Sequence, residues 1–228
     1  MLYVAMGGPF KVPPRDKLAE FREYGIGGII RMDPFTGAKR EVYATGIRNS
    51  VGIDFNPKNN DLWFSDNQTD GMGDDIPAGE LNRATRKGQF FGYPWIVGHT
   101  RITENGYDKD PLPPNVINPE VYMDAHAADL GIVFYTGKKF PAKYQGGIFS
   151  AQHGSWNRTT PIGARIMFTS LKADGSANKT EVFAQGWLDP ETRQYRGRPV
   201  DVANLPDGSL LVSDDFAGAI YRITYAGE

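Results

Sequence analysis

An arginine and an asparagine stand next to each other in the segment Gly46-Ile47-Arg48-Asn49-Ser50-Val51-Gly52. Strand-like runs at 41–44 and 51–55 flank the pair. Arginine presents a planar fork of donors that suits carboxylate oxygens, and asparagine offers both a donor and an acceptor. Arg48 and Asn49 are therefore predicted to bind a polar ligand where one strand ends and the next begins. The alternative is a structural turn whose glycines adopt positive φ.

Two further arginines alternate in Tyr195-Arg196-Gly197-Arg198-Pro199, just before another strand-like run. In extended chain, residues i and i+2 face the same side. Arg196 and Arg198 would then repel each other unless an anion lay between them. The pair is predicted to clamp a polycarboxylate or a phosphate. The alternative is two surface arginines neutralised by Asp201 and Asp207.

An oxygen-rich segment, 66–75, reads Asp-Asn-Gln-Thr-Asp-Gly-Met-Gly-Asp-Asp and follows a strand-like run. Many oxygens close together, with glycines that permit tight backbone approach, suit a hard cation such as calcium. The spacing is not that of an EF-hand, which requires a glutamate at its twelfth position. The segment is either a calcium loop or an Asx-rich surface turn.

The three histidines, His99, His126 and His153, fall in different predicted blades or loops, which argues against a shared zinc site. His153 opens the run His-Gly-Ser-Trp-Asn-Arg, 153–158, so one loop combines a general-base candidate, a hydroxyl, an amide and a cation. A serine–histidine hydrolase is disfavoured, because adjacent residues seldom meet as nucleophile and base. The alternative is a surface histidine beside a packed tryptophan.

The composition of the chain excludes several classes of protein and of site chemistry. The formal charge of −2 over 228 residues gives no basic surface for nucleic acid. The absence of cysteine excludes disulfides and thiolate chemistry. No apolar run approaches the roughly 18 residues of a membrane helix, and the chain opens on a strand-like run without a signal-peptide pattern.

The elements that must position the candidate residues are short strands, which recur along the whole chain. Strands are predicted near 2–6, 27–32, 41–44, 51–55, 61–65, 80–84, 131–135, 147–151, 164–170, 180–184, 199–203, 209–213 and 219–224. One short helix is predicted at 15–23, with a loop as the alternative. The proline-rich connection 93–129 shows no periodicity and is predicted to cover one end of the fold.

Internal similarity favours a repeated architecture. Segments 56–66 and 205–214 share a proline-containing turn, an apolar strand and a final Ser-Asp, and 42–46 resembles 182–186. Both separations fit three units of roughly 40–50 residues, the size of a four-stranded propeller blade. We therefore predict an all-β chain that forms a single domain, 1–228, built as a β-propeller with about four blades present. A β-sandwich is the alternative.

Taken in order, these segments resemble the soluble quinoprotein glucose/sorbosone dehydrogenase family, six-bladed propellers that use pyrroloquinoline quinone (PQQ) with calcium. The matching stretches are 2–7, 46–49, 79–82, 88–94, 134–141, 153–158, 196–198 and 206–209. The run 153–158 and the pattern Tyr-x-Gly-x-x-Phe-Pro at 135–141 point to the sorbosone-like branch. The resemblance implies a partial ring, a sugar or aldehyde substrate, an electron acceptor and a periplasmic or secreted location.

The resemblance also implies roles for individual residues. Arg48 and Asn49 match a pair that contacts the quinone, and 196–198 matches an Arg-x-Arg pair that binds its carboxylates. Segment 68–70 matches backbone carbonyls that hold the cofactor's calcium, and 153–158 replaces a stretch that carries a cofactor-binding lysine in the glucose-oxidising branch. The cofactor-binding candidates are Arg48, Asn49, His126, His153, Arg158, Arg196 and Arg198, and the metal-binding candidates are Gln68, Thr69 and Asp70.

In the family, the catalytic base is a histidine on the strand before the one that matches 2–7, so the resemblance places it upstream of Met1. The chain is then either the C-terminal two-thirds of an enzyme or a shortened relative without the chemistry, with His126 as the candidate substitute. Two other classes stay open: a calcium-dependent propeller lactonase and a non-catalytic binding module. A partial ring also exposes open blade edges, which predicts self-association.

Overall fold

The computed structural model describes residues 1–227, and over these residues the chain is all-β. In chain order the strands are β1 (Leu2–Met6), β2 (Gly28–Met32), β3 (Glu41–Thr45), β4 (Ile53–Phe55), β5 (Leu62–Asp66), β6 (Gly79–Ala84), β7 (Gln89–Phe90), β8 (Ile96–Val97), β9 (Thr100–Arg101), β10 (Val121–Met123), β11 (Asp129–Phe134), β12 (Ile148–Gln152), β13 (Arg165–Leu171), β14 (Ala177–Gln185), β15 (Pro199–Asn204), β16 (Leu210–Asp214) and β17 (Ala219–Ile223).

Helical structure is short. One α-helix, α1, spans Leu18–Tyr24, and 3-10 turns span Arg15–Lys17, Glu104–Lys109 and Ala142–Tyr144. The first of these turns and α1 together form the helix predicted at 15–23. Within the described residues, no helix has both the length and the apolar character needed to cross a membrane.

Four sheets follow one another along the chain. Their strand orders are β1-β2-β3-β7 in sheet 1, β10-β6-β5-β4 in sheet 2, β11-β12-β13-β14 in sheet 3 and β15-β16-β17 in sheet 4. Neighbouring strands are antiparallel, except that β7 runs parallel to β3. All thirteen predicted strands are present, each within three residues of its expected ends. Short runs of strand-favouring residues bounded by turn residues are thus sufficient to locate these strands.

Four strands of two or three residues, β7 to β10, are not predicted from the sequence, because they do not stand in longer strand-like runs. Three of them lie in the connection 93–129. β10 completes sheet 2 by pairing with β6, and β8 pairs with β9 in a separate hairpin. Around this hairpin, Trp95 and Tyr107 pack with Val12 of the β1–β2 connection in a hydrophobic cluster.

The first strands of sheets 2, 3 and 4 lie close together, and glycines permit the contact. A Cβ on Gly52, just before β4, would lie 2.3 Å from the carbonyl oxygen of Leu130. A Cβ on Gly131, in β11, would lie 1.9 Å from Oδ1 of Asp201 in β15. Successive meander sheets that meet along their first strands are consistent with a partial β-propeller.

Apolar side chains fill the space between neighbouring sheets. Ile29 and Tyr43 of sheet 1 pack with Phe64 of sheet 2. A second cluster joins sheets 2 and 3, and a third joins sheets 3 and 4; their members include Trp63, Phe134, Ile148, Phe149, Phe168, Val202 and Val212. Burial of this apolar surface holds each sheet against the next and so fixes the relative positions of the loops at the sheet ends.

Candidate functional site

All the candidate residues lie in connections that emerge at the same end of the sheets. Because neighbouring strands are antiparallel, successive connections alternate between the two ends of the sheets. The connections that carry the candidate residues all fall at one end. The β3–β4 connection carries Arg48 and Asn49, the β5–β6 connection carries 68–70, and the β10–β11 connection carries His126. The β12–β13 connection carries 153–158 and the β14–β15 connection carries 196–198.

A cavity of about 220 Å³ opens at this end. Five of the ten candidate residues line it: Arg48, Asn49, Gln68, Asp70 and His126. The other five, Thr69, His153, Arg158, Arg196 and Arg198, do not. The cavity also receives Trp156 and Asn157 from the β12–β13 connection and Asp129 from the start of β11.

Among the described residues, Arg48 is the one lysine or arginine that lines the cavity. Its guanidinium makes a single long hydrogen bond to the part of the chain that the structure describes, from Nη1 to the carbonyl oxygen of Asn67 at 3.4 Å. Within residues 1–227 it forms no ion pair, whereas Arg158 pairs with Asp75 and Arg165 pairs with Asp124. A half-buried cation with unused donors at a cavity wall favours an anionic or carbonyl-bearing ligand.

The buried carboxylate of Asp66 fixes the backbone that carries Arg48 and Asn49. Its Oδ2 accepts the Arg48 N–H at 3.0 Å and its Oδ1 accepts the Asn49 N–H at 2.7 Å. Gly46 has φ 76°, as the predicted turn requires, whereas the role of Gly52 is close contact with β11. The segment is thus a rigid turn, and the turn directs Arg48 to the cavity.

The second Ser-Asp pair of the sequence, Ser213-Asp214 in sheet 4, accepts backbone N–H groups as Ser65-Asp66 does in sheet 2. Asp214, at the end of β16, accepts the Arg198 N–H at 2.9 Å, as Asp66 at the end of β5 accepts the Arg48 N–H. The preceding serines also correspond: Ser65 Oγ accepts the Gly52 N–H at 3.0 Å, and Ser213 Oγ accepts the Asp201 N–H at 3.1 Å. Each Ser-Asp pair therefore holds the connection that leads into its own sheet.

Arg196 and Arg198 do not converge on a shared position. The side chain of Arg196 is 72% exposed and pairs with Asp189. Arg198 lies over the ring of Tyr195, 4.1 Å from its centre, and its Nη2 donates to the carbonyl oxygen of Ser155 at 2.8 Å. The expectation of a common face assumed extended chain, but β15 begins only at Pro199.

The β12–β13 connection holds the acidic β5–β6 connection in place. Asn157 Nδ2 donates to Asp70 Oδ1 at 2.8 Å. Arg158 donates to the carbonyl oxygen of Asp74 and to Asp75 Oδ1, the latter at 3.0 Å. Arg158 therefore neutralises the distal part of the acidic segment, and residues 68–70 remain beside the cavity.

His126 has both ring nitrogens engaged. Its Nε2 lies 2.8 Å from the carbonyl oxygen of Gly73 and 3.0 Å from that of Ile76. Both are acceptors, so Nε2 carries the proton, and Nδ1 accepts from Asn157 Nδ2 at 3.2 Å. In this arrangement His126 has no free lone pair for a substrate proton and acts as a positioning residue for the β5–β6 connection.

The other two histidines lie outside the cavity. Nε2 of His153 contacts Asp215 Oδ1 at 2.8 Å, and this hydrogen bond holds the pKa of Asp215 below its ordinary value. Nδ1 of His153 accepts from Arg198 Nη1 at 3.3 Å. His99 lies against the ring of Tyr122, with ring centres 3.6 Å apart. His153 thus helps to position Arg198.

Buried oxygens around the cavity lack hydrogen-bond partners among the described residues. They are Gln68 Oε1, Thr69 Oγ1, Asp129 Oδ2 and Asn157 Oδ1. An unpaired buried acceptor costs about 1–3 kcal/mol, so the amide oxygens of Gln68 and Asn157, which can only accept, fit a ligand that brings positive charge. Over residues 1–227, no three His, Asp or Glu side chains are grouped to hold a metal. A calcium ion here would rely on amide, hydroxyl and carbonyl oxygens, which calcium accepts.

Two buried carboxyl groups, Asp129 on the cavity wall and Glu80 behind it, favour their neutral forms. Burial raises the pKa of Asp129 to about 7, against the hydrogen bond from Gln152. Glu80 lies opposite Asp66 on the neighbouring strand, and burial, followed by the Asp66 charge, raises the pKa of Glu80. Asn82 Nδ2 donates to Glu80 Oε2 at 3.0 Å, while Asn82 Oδ1 has no partner in the described chain. A 180° turn of this amide lets Asn82 Oδ1 accept the proton of neutral Glu80.

Replacing Glu80 with glutamine is expected to raise the melting temperature at pH 8 by roughly 3–6 °C. Because the folded-state pKa of Glu80 is raised above its ordinary value of 4.5, the unfolded chain loses this proton first as the pH rises. The wild-type free energy of unfolding therefore falls from pH 4.5 upward, and Glu80→Gln removes that slope. Thermal melts of both proteins between pH 4.5 and 9 measure how the stability of each changes with pH. Equal slopes in both proteins would show that Glu80 is ionised in the folded chain.

Two solved structures illustrate the fold that this chain shares with other proteins. A calcium structure of a family AA12 carbohydrate-active enzyme from Trichoderma reesei matches with a TM-score of 0.75 and 21% identity, over 96% of this chain and 64% of that one. The holo PQQ domain of a pyranose dehydrogenase from Coprinopsis cinerea matches with a TM-score of 0.70 and 20% identity, over 98% of this chain and 66% of that one. These likenesses establish the fold.

The chain belongs to the Glucose / Sorbosone dehydrogenase family, whose model matches residues 21–222. An uncharacterized protein of Borreliella burgdorferi is 43% identical over 82% of this chain and 49% of its own length. The aldose sugar dehydrogenase YliI of Escherichia coli is 24% identical over 98% of this chain and 56% of its own length. The chain thus spans about half the length of these curated relatives.

Proposed function

We propose that this chain forms the cofactor-binding part of a PQQ- and calcium-dependent dehydrogenase that oxidises a sugar or a related aldehyde. The observation that carries the proposal is Arg48, a half-buried cation with no ionic partner in residues 1–227 and with donors free at the cavity wall. The relatives add support, because one solved neighbour is a PQQ domain and a curated relative is an aldose sugar dehydrogenase.

The residues of the cavity suit distinct tasks. Arg48 would bind a carboxylate or carbonyl oxygen of the quinone and stabilise negative charge that develops there. Asn49 would orient the ring through its amide, and Gln68, Thr69 and Asp70 would supply oxygens to calcium. When bound, the quinone supplies the oxidant that accepts hydride from a sugar carbon. His126 and Arg158 would keep the β5–β6 connection, 67–78, in its binding shape, and His153 would act through Arg198.

We further propose that the four sheets are four blades of a six-bladed ring in a single domain, 1–228, of the sorbosone-like branch. Four of six blades is about two-thirds of a ring, close to the 64% of the Trichoderma reesei enzyme that the chain covers. Sheet 4 has three strands in the described chain, and its outer strand β17 is an open edge that favours self-association. A periplasmic or secreted location is proposed from the family resemblance.

Titration of the full chain with PQQ, with and without calcium, tests the proposal. We expect a saturable change in quinone absorbance that requires calcium and is reversed by a chelator. Sugar-dependent reduction of a dye acceptor would then establish turnover. No spectral change at saturating calcium would refute the cofactor and favour a binding module, and hydrolysis of lactones without any acceptor would favour a lactonase.

A further inference from the structure

Trp156 differs from the other tryptophans of the chain in its exposure and in its contacts. Of the four tryptophans in the chain, Trp63, Trp95 and Trp187 each pack edge-on against another aromatic ring. Trp156 is 75% exposed and has no aromatic or cationic partner in the described part of the chain. A packed tryptophan, the alternative expected from the sequence at this loop, is therefore wrong for Trp156.

The backbone on both sides of Trp156 is held firmly. Ser155 is buried, and its Oγ accepts the Ile162 N–H at 3.0 Å while its N–H donates to the Ile162 carbonyl at 2.8 Å. On the other side, Asn157 donates to Asp70 Oδ1 at 2.8 Å. The exposed indole is therefore presented from a fixed position and does not sit at the tip of a loose loop.

Trp156 also lies on the wall of the cavity that contains Arg48 and Asp70. An exposed apolar ring beside amides, a carboxylate and a guanidinium matches the two-sided chemistry of a pyranose, which has an apolar C–H face and a rim of hydroxyls. Gln68 Oε1 and Asn157 Oδ1 on the same wall are buried, whereas the indole of Trp156 is exposed, so a substrate that comes from solvent can reach the indole face.

We propose that Trp156 is the stacking platform for the sugar ring and so determines specificity for cyclic sugars. This inference rests on the proposed function for the identity of the substrate. Stacking contributes equally to the ground state and the transition state, so it is expected to affect KM and not kcat.

Fluorescence quenching by acrylamide tests the inference directly, because Trp156 is the most exposed of the four tryptophans. D-glucose, D-galactose and D-xylose are titrated into the full chain with PQQ and calcium present, and again without them. We expect at least one of these sugars to shield Trp156 from acrylamide, while sorbitol, which carries similar hydroxyls but no ring, shields it little. In Trp156→Ala the remaining fluorescence should not respond to sugar.

Calorimetry on matched variants supplies the affinities. Trp156→Ala should raise the sugar Kd about tenfold, and Trp156→Phe should stay within about threefold, because phenylalanine retains a ring face. Phe35→Ala removes a ring that is 95% exposed in the β2–β3 turn, at the opposite end of the sheets, and should leave Kd unchanged.

The outcomes separate the inference from the proposed function. Turnover with an unchanged KM in Trp156→Ala would overturn the stacking role and leave the dehydrogenase intact. Shielding of Trp156 by a sugar without any quinone binding would support the stacking role and refute the redox function. Shielding by PQQ alone, or by none of the three sugars, would overturn the inference.

Discussion

Replacing Arg48 with alanine is expected to weaken PQQ binding about a hundredfold, since charge-assisted hydrogen bonds to a carboxylate or carbonyl oxygen are lost. The same change should leave the stability of the protein without added PQQ unchanged or slightly higher. Arg48 has a single 3.4 Å hydrogen bond and no ion pair in residues 1–227, so its removal breaks little within the fold and relieves a partly buried charge.

Quinone absorbance titrations and thermal melts of the same samples measure both effects. Arg48→Lys keeps the charge but loses the planar fork, so an intermediate loss of about tenfold is expected. Arg196→Ala is the matched control, because that guanidinium is exposed and pairs with Asp189 outside the cavity. Its PQQ affinity should stay within about threefold. Equal losses of PQQ affinity in Arg48→Ala and Arg196→Ala would contradict the assignment of this cavity as the quinone site.

The sequence predicts the long strands because strand-favouring residues recur in short runs bounded by turn residues, and facing sheets then bury them. It does not predict β7 or β10, which have two and three residues and form because sheets 1 and 2 offer an unpaired outer strand. Tertiary pairing, and not local propensity, determines such strands. The family resemblance supports the propeller, and the structure adds which strands meet between sheets.

The candidate site likewise has a part that the sequence predicts and a part that only the fold reveals. Turn chemistry locates Arg48 and Asn49, because glycine with positive φ ends a strand there. The contacts of Asn157 with Asp70 and of Arg158 with Asp74 join residues more than eighty positions apart, and no local pattern in the sequence reports them. One local feature does point to a further positioning residue: the repeated Ser-Asp at 65–66 and 213–214 identifies Asp66, although its partners are visible only in the fold.

Replacing Asp66 with alanine is expected to reduce the free energy of unfolding by about 3 kcal/mol, because the partly buried N–H groups of Arg48 and Asn49 lose their buried acceptor. Chemical denaturation measures this loss. Because the turn no longer directs Arg48 to the cavity, PQQ affinity should fall at least as far as in Arg48→Ala. The removed charge also lowers the pKa of Glu80, which Asp66 helps to raise, so the decline of stability with rising pH should become shallower.

Asp214→Ala provides the matched comparison, since Asp214 accepts the Arg198 and Ala217 N–H groups at 2.9 and 2.8 Å in the corresponding position of sheet 4. The loss of stability should be similar, about 3 kcal/mol, but PQQ affinity should stay within about threefold, because Arg198 does not line the cavity. If both variants lost PQQ affinity equally, general loosening of the fold would explain the effect of Asp66, and Asp66 would have no specific part in placing Arg48. A loss confined to Asp66→Ala, together with the shallower pH dependence, requires that Asp66 positions the cation.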